Sequence, residues 1–127
     1  MSPPQRSQWA DLSAYGGDDE LPVKIKPEFK NNLTRTQESI VDAIEKGDKF
    51  TFEKLGGLLT FDLNFEITSD GIFPLLLASA KGDKEMVAMI VTNPNTRINK
   101  TDAYGVNAFW VAAFYGHVDV RFSIIIL

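Results

Sequence analysis

The chain of 127 residues contains no cysteine. That excludes disulfide staples, thiolate nucleophiles and zinc–sulfur sites together, and it is compatible with a reducing compartment. Histidine is almost as scarce: His117 is the only one. As a catalytic base it would need a nucleophile and an orienting carboxylate, and although Asp119 is near in sequence, no Ser or Cys presents a nucleophile motif. The expected role of His117 is therefore structural, a glycine–histidine helix junction bonding backbone. No apolar run approaches the roughly 20 residues needed to cross a bilayer. No cationic segment followed by an apolar run opens the chain, so no secretory signal is expected. Positive charge is short as well. Thirteen Lys and Arg against 17 Asp and Glu leave a net charge of −4, with no basic cluster to offset it, so nothing favours nucleic acid or an anionic membrane surface. The phosphate-cradling pattern G-x-x-x-x-G-K-[ST] does not occur. Asp18, Asp19 and Glu20 are adjacent and cannot all face one cation, so they read as a solvated turn. These shortages point to a chain that is not an enzyme, takes no cofactor or metal, and resides by default in the cytoplasm.

What the chain does have is a repeat. Gly71 and Gly105 are 34 residues apart, and so are Gly82 and Gly116. Residues 70–83 read DGIFPLLLASAKGD and residues 104–117 read YGVNAFWVAAFYGH. Each copy runs glycine, two residues, a small or cyclic residue, three bulky apolar ones, two small ones, two variable ones, then glycine. A period in the low thirties implies one supersecondary unit stacked on copies of itself.

Residues 1–35 differ from the rest, because Pro3, Pro4, Pro22 and Pro27 interrupt any helix and Gly16-Gly17 reads as a turn. A mostly unstructured tail is expected there. Trp9, Leu12 and Tyr15 on one side of a short helix, and Leu21, Val23 and Ile25 in alternation, leave open a docking arm that folds on a partner or along the repeats. The first helix is predicted over 33–47, with Thr34 or Thr36 as cap, Leu33, Ile40, Val41 and Ile44 on one face, and Gly47 as its stop. A second is predicted over 49–59 with Phe52, Leu55, Leu58 and Leu59 inward, fraying or ending at Gly56-Gly57. Residues 61–68 should form an extended connector. Pro74 opens a third helix with Leu75, Leu77 and Ala78 buried and Gly82 at its end, and Asp83 caps a fourth over 84–91. Asn93-Pro94-Asn95 is a turn. Asn107 caps a fifth over 108–115, and a sixth begins at Val118. The pattern then slips. Arg121 and Ser123 fall where apolar residues belong, as though one residue were missing after Val120. The closing Ile-Ile-Ile-Leu is β-prone and a poor helix end.

This arrangement resembles the ankyrin repeat. The family's signature, roughly D-x-x-G-x-T-P-L-H-x-A-A-x-x-G-H, is matched by Asp102, Gly105, Asn107, Ala108, Phe109, Ala112, Ala113, Gly116 and His117. The preceding copy matches through Gly71, Pro74, Leu75, Ala78, Ser79 and Gly82, and a more distant first copy through Ile40, Ala43, Ile44 and Gly47. Asn64 and Asn99, 35 residues apart, stand where the family has an asparagine after the second helix. Phe73 replaces the capping threonine, and Leu76 and Trp110 replace the histidine that braces the turn, putting larger apolar groups near the concave side. The likeness implies an all-α, ankyrin-type helical solenoid over residues 36–127. Its units are about 36–68, 69–101 and 102–127, the last incomplete, behind an N-terminal tail of residues 1–35.

The resemblance also implies a function and a face. Ankyrin units commonly meet protein partners through their turn tips and the exposed side of each first helix. Mapped here, those are Ser69, Asp70, Ile72, Ala80 and Lys81 in one unit and Ala103, Tyr104, Val106, Phe114 and Tyr115 in the next. Ile72, Tyr104, Val106, Phe114 and Tyr115 are the expected partner-binding residues. The aromatics among them could instead cover one another. Two further readings stay open: a piece of a larger ankyrin-repeat protein whose activity lies beyond Leu127, and a structural component of a large assembly with the tail threading between neighbours.

Overall fold

The computed structural model describes residues 25, 27–56 and 61–126. They form six α-helices in three consecutive pairs: α1 (Arg35–Lys46) with α2 (Lys49–Gly56), α3 (Pro74–Lys81) with α4 (Lys84–Val91), and α5 (Ala108–Phe114) with α6 (Val118–Ile126). Among the described residues there is no strand, only one antiparallel bridge between Lys30 and Thr68. The chain is all-α.

None of these helices is long enough to hold in water by itself, since isolated helices shorter than about 12–15 residues are marginal. Local capping residues bound several of them, and their neighbours hold them. Thr34 and Gln37 close a reciprocal capping box at α1: the Thr34 hydroxyl accepts from the Gln37 amide at 3.1 Å, and the Gln37 side chain accepts from the Thr34 amide at 3.0 Å. Of the two threonines available, Thr34 is the cap. Asp83 and Asn107 accept the amides of Met86 and Trp110 to begin α4 and α5. Phe73 occupies the cap position of α3 without a side-chain hydrogen bond and is buried instead, with Lys100 Nζ 5.4 Å from its ring centroid. Pro74 needs no cap partner for its nitrogen. Gly82 ends α3 at φ 73°, a left-handed conformation that only glycine adopts cheaply.

The pairs stack in register. α3 lies between α1 and α5, and α4 between α2 and α6. The middle pair is therefore covered on both sides, and every residue of α3 from Pro74 to Ala80 is buried, not only Leu75, Leu77 and Ala78. Burying each of its three leucines is worth about 2 kcal/mol. A single apolar core runs through the stack from Ile25 and Ile40 to Val120 and Ile124.

Polar contacts between successive pairs reuse one carbonyl position. The Glu45 carbonyl accepts from Lys81 Nζ at 2.8 Å, and the equivalent Ala80 carbonyl accepts from His117 Nε2 at 3.0 Å. Lys49 Nζ reaches Asp83 at 2.9 Å. Among the connectors, Asn64 donates to the Asn95 carbonyl and accepts from the Arg97 amide, Asn93 donates to the Phe61 carbonyl, and the Ala103 amide donates to the Asp70 carbonyl. Asn64, picked out as a repeat position, is thus one of the residues that tie one connector to the next.

The structure corrects several expectations. Residues 25 and 27–34 are not an unstructured tail. Ile25 is buried, its amide donates to Glu45 at 3.0 Å, a 3-10 turn follows at Pro27–Phe29, and the Asn31 amide donates to the Ile67 carbonyl. Trp9, Leu12, Tyr15, Leu21 and Val23 lie outside the described residues, as do Leu58 and Leu59, so α2 is described only to Gly56. The 61–68 connector is not simply extended: it turns at Leu63–Asn64, with the Asn64 amide on Asp62, before Ile67 and Thr68 are buried. α5 closes one residue early, with Tyr115 as its cap. α6 continues through the isoleucines to Ile126 despite their β-preference, burying Val120 and Ile124. Arg121 is accommodated with its guanidinium 5.2 Å from the Phe109 ring, so its long stem lets a charge occupy a helix face beside apolar neighbours.

Candidate protein interface

The turn preceding α5 is built on Asp102, whose buried carboxylate accepts the amides of Tyr104 at 2.8 Å and Val106 at 3.0 Å. The equivalent turn before α3 uses Thr68 instead. Its hydroxyl accepts from the Ile72 amide at 3.1 Å and donates to Asp70 in a short hydrogen bond. The Asp102 turn holds Tyr104 and Val106, both half-buried, just before the start of α5.

Helix α5 then displays a run of rings. Trp110 and Phe114, one helical turn apart, stack with centroids 5.0 Å apart and planes 12° from parallel. Phe114 meets Tyr115 edge-on at 5.1 Å, and Tyr115 stacks on His117 at 5.9 Å. Trp110 is 45% exposed and Phe114 42% exposed. Tyr115 is half-buried, and that burial raises its phenol pKa to about 12, so it is neutral at any physiological pH. The aromatics do cover one another, and the outer two rings still face solvent.

Of the five residues expected to contact a partner, Tyr104, Val106, Phe114 and Tyr115 lie on α5, the turn before it or its C-terminal cap. Ile72 does not belong with them: it is fully buried, its amide donates to Thr68 and its carbonyl accepts from Ile67. The reason is that the turn of the next unit packs directly over Gly71, beside Asp102 and Ala103 backbone. Ala80 is likewise buried, and Lys81 is committed to the Glu45 carbonyl. Ser69 and Ala103 are exposed. Leu76 is buried rather than surface-facing, whereas Trp110, the other replacement for the turn histidine, is the most exposed ring of the group. Its spacing of four from Phe114 already put the two on one helix face, and that spacing was the available sign of Trp110's part in the patch.

The His117 ring donates to a backbone carbonyl and stacks on Tyr115, as its place after Gly116 suggested. Among the described residues no three His, Asp or Glu side chains converge as metal ligands. No helix among them is long and apolar enough to cross a membrane. Compared with protein-family models, with curated proteins and with solved structures, the chain has no match.

Proposed function

We propose that this chain is a non-catalytic protein–protein interaction module of ankyrin-repeat type, working in the cytoplasm and binding a protein partner through the aromatic face of its third unit. The observation that carries the reading is the pair of stacked, solvent-facing rings of Trp110 and Phe114, with Tyr115 edge-on to Phe114. Two large aromatics left in water on a rigid helix supply contact area at small entropic cost, which is the usual composition of an interface hot spot. The regular bonds between helix pairs support the repeat-type scaffold, because such a stack holds the face rigid before any partner arrives.

The test is crosslinking mass spectrometry in native lysate, comparing the unmodified chain with Trp110→Ala combined with Phe114→Ala. Both side chains are more than two-fifths exposed, so the double variant should retain its fold and its melting cooperativity. Crosslinked proteins that disappear with the two rings support the interface. An unchanged set of crosslinked proteins refutes it.

A further inference from the structure

We propose that the open face of the third helix pair binds the first helix pair of a second copy of this chain, head to tail. The two internal junctions share their accepting side, a carbonyl two residues before a glycine and the glycine itself, while the donor differs. At the first junction, Lys81 donates to the carbonyl two residues before Gly47, and the Asp83 side chain lies against Gly47 itself. At the second, His117 donates to the carbonyl two residues before Gly82, and its ring covers that glycine. The third pair presents the equivalent carbonyl, that of Phe114, and the equivalent glycine, Gly116, which has nothing within 4 Å of where a Cβ would stand. Gly105 is open in the same way, although its counterpart Gly71 is covered by the following turn.

The first pair carries the matching docking residues. Residues 46–49 and 81–84 both read Lys-Gly-Asp-Lys. In the second pair, Lys81 and Asp83 are the groups that reach back to the pair before. In the first pair, Lys46 and Asp48 hold the same places and bond only within their own pair, Lys46 with Asp42 and Asp48 with Thr51. The Lys46 side chain is 69% exposed.

The exposed large apolar side chains are confined to the two ends of the stack. The large ones among the described residues are Phe29, Phe50, Trp110, Phe114 and Val118. All of them belong to the first or third pair or to the turn before the first, and none to the middle pair. Lys49, which clasps Asp83 at the first junction, is replaced in the third pair by Val118, so the new junction relies on the Lys46–Phe114 carbonyl bond and on apolar contact more than on an ion pair. Such a contact joins two different faces, so it does not close on itself and builds chains rather than a symmetric dimer.

The experiment is sedimentation velocity on the full chain and two surface variants. Val118→Asp spoils the accepting face and Lys46→Glu the donating face. The unmodified chain should sediment faster as its concentration rises through the micromolar range, while each variant alone remains a monomer. Mixed in equal amounts, the variants should form a dimer and stop there, because one intact face remains on each. A monomeric unmodified chain overturns the proposal, as does a mixture that behaves as two separate monomers or a variant that still associates like the parent. Should Lys46→Glu melt without cooperativity, Phe50→Glu takes its place in the same mixture, and Val118→Lys can replace Val118→Asp.

Discussion

The junction between the second and third helix pairs can be weighed by placing one methyl group in it. A Cβ added at Gly82 would stand 2.5 Å from His117 Nδ1, 2.6 Å from Cε1 and 2.8 Å from Cγ, distances at which the ring must move. Gly82 also has φ 73°, where an alanine costs about 1–2 kcal/mol on backbone grounds alone. Moving the ring forfeits the bond to the Ala80 carbonyl, worth about 1 kcal/mol net, and the stack on Tyr115, worth about 0.5–1.5 kcal/mol. Gly82→Ala should therefore cost about 2.5–4.5 kcal/mol by these sums. Gly116→Ala is the control: φ is 76° and nothing lies within 4 Å, so only the backbone cost of about 1–2 kcal/mol applies. Urea denaturation of both variants, with His117→Ala and the Gly82→Ala/His117→Ala double variant, completes a cycle. The double variant should recover the steric part of the loss, giving a coupling of at least ~1 kcal/mol. If Gly82→Ala and Gly116→Ala cost the same within about 0.5 kcal/mol and the cycle is additive, the His117 wedge contributes nothing and the reasoning fails.

Other junctions give smaller tests. Asn64→Ala removes two of the bonds between the connectors, and amide exchange at Arg97 should accelerate by about tenfold, as expected for one lost hydrogen bond; unchanged exchange would mean that the connectors hold without it. Lys49→Met should cost about 1 kcal/mol or less, since the lysine is one-third exposed, and the loss should shrink in high salt; a salt-independent loss would point to packing of the lysine stem instead. Alkaline pH should destabilise the fold. The Tyr115 phenol has its pKa raised to about 12 by burial, so the folded state holds that proton more tightly than the unfolded chain does. Stability is intact below the ordinary phenol value of about 10 and falls as pH rises from there towards 12. Lys49, raised above its ordinary value chiefly by the Asp83 bond, acts in the same direction above about pH 10.5. Tyr115→Phe should flatten part of the decline measured by denaturation between neutral pH and about pH 11. A variant as pH-sensitive as the parent would exclude Tyr115 as its source.

The helices were legible from the sequence because each carries its own punctuation. Thr34, Asp83 and Asn107 as caps, Pro74 at a first turn, and Gly47, Gly82 and Gly116 as stops are local chemistry, and local chemistry reads directly from residue order. What could not be read was set by tertiary neighbours. The proline-marked segment around residues 25–31 looked like tail because its apolar content is low. It is held by backbone donors meeting Glu45 and the Ile67 carbonyl, and a pattern search does not register such bonds. At the other end, Arg121 looked like a break in register only while a side chain was treated as a single polar point. Its charge rests over Phe109, and α6 continues beneath it.

The same distinction explains why one expected contact residue was wrong and its twin was not buried. Ile72 and Val106 each follow the turn glycine, and the repeat pattern assigns them one role. Ile72 is fully buried and Val106 only half. Nothing in their own segments differs enough to cause this, since both amides bond the first residue of a turn in the same manner, Thr68 for one and Asp102 for the other. The difference is the neighbour: the Asp102–Ala103 backbone closes over Gly71, and nothing described closes over Gly105. A repeat motif therefore specifies where a residue stands within its unit, while its burial depends on how many units flank it. By that rule the exposure of Trp110 and Phe114, whose counterparts Leu76 and Ala80 are buried, is a property of the third unit's position in the stack, and a neighbour docked on its open face should draw Val106 into the core as the third unit has already drawn in Ile72.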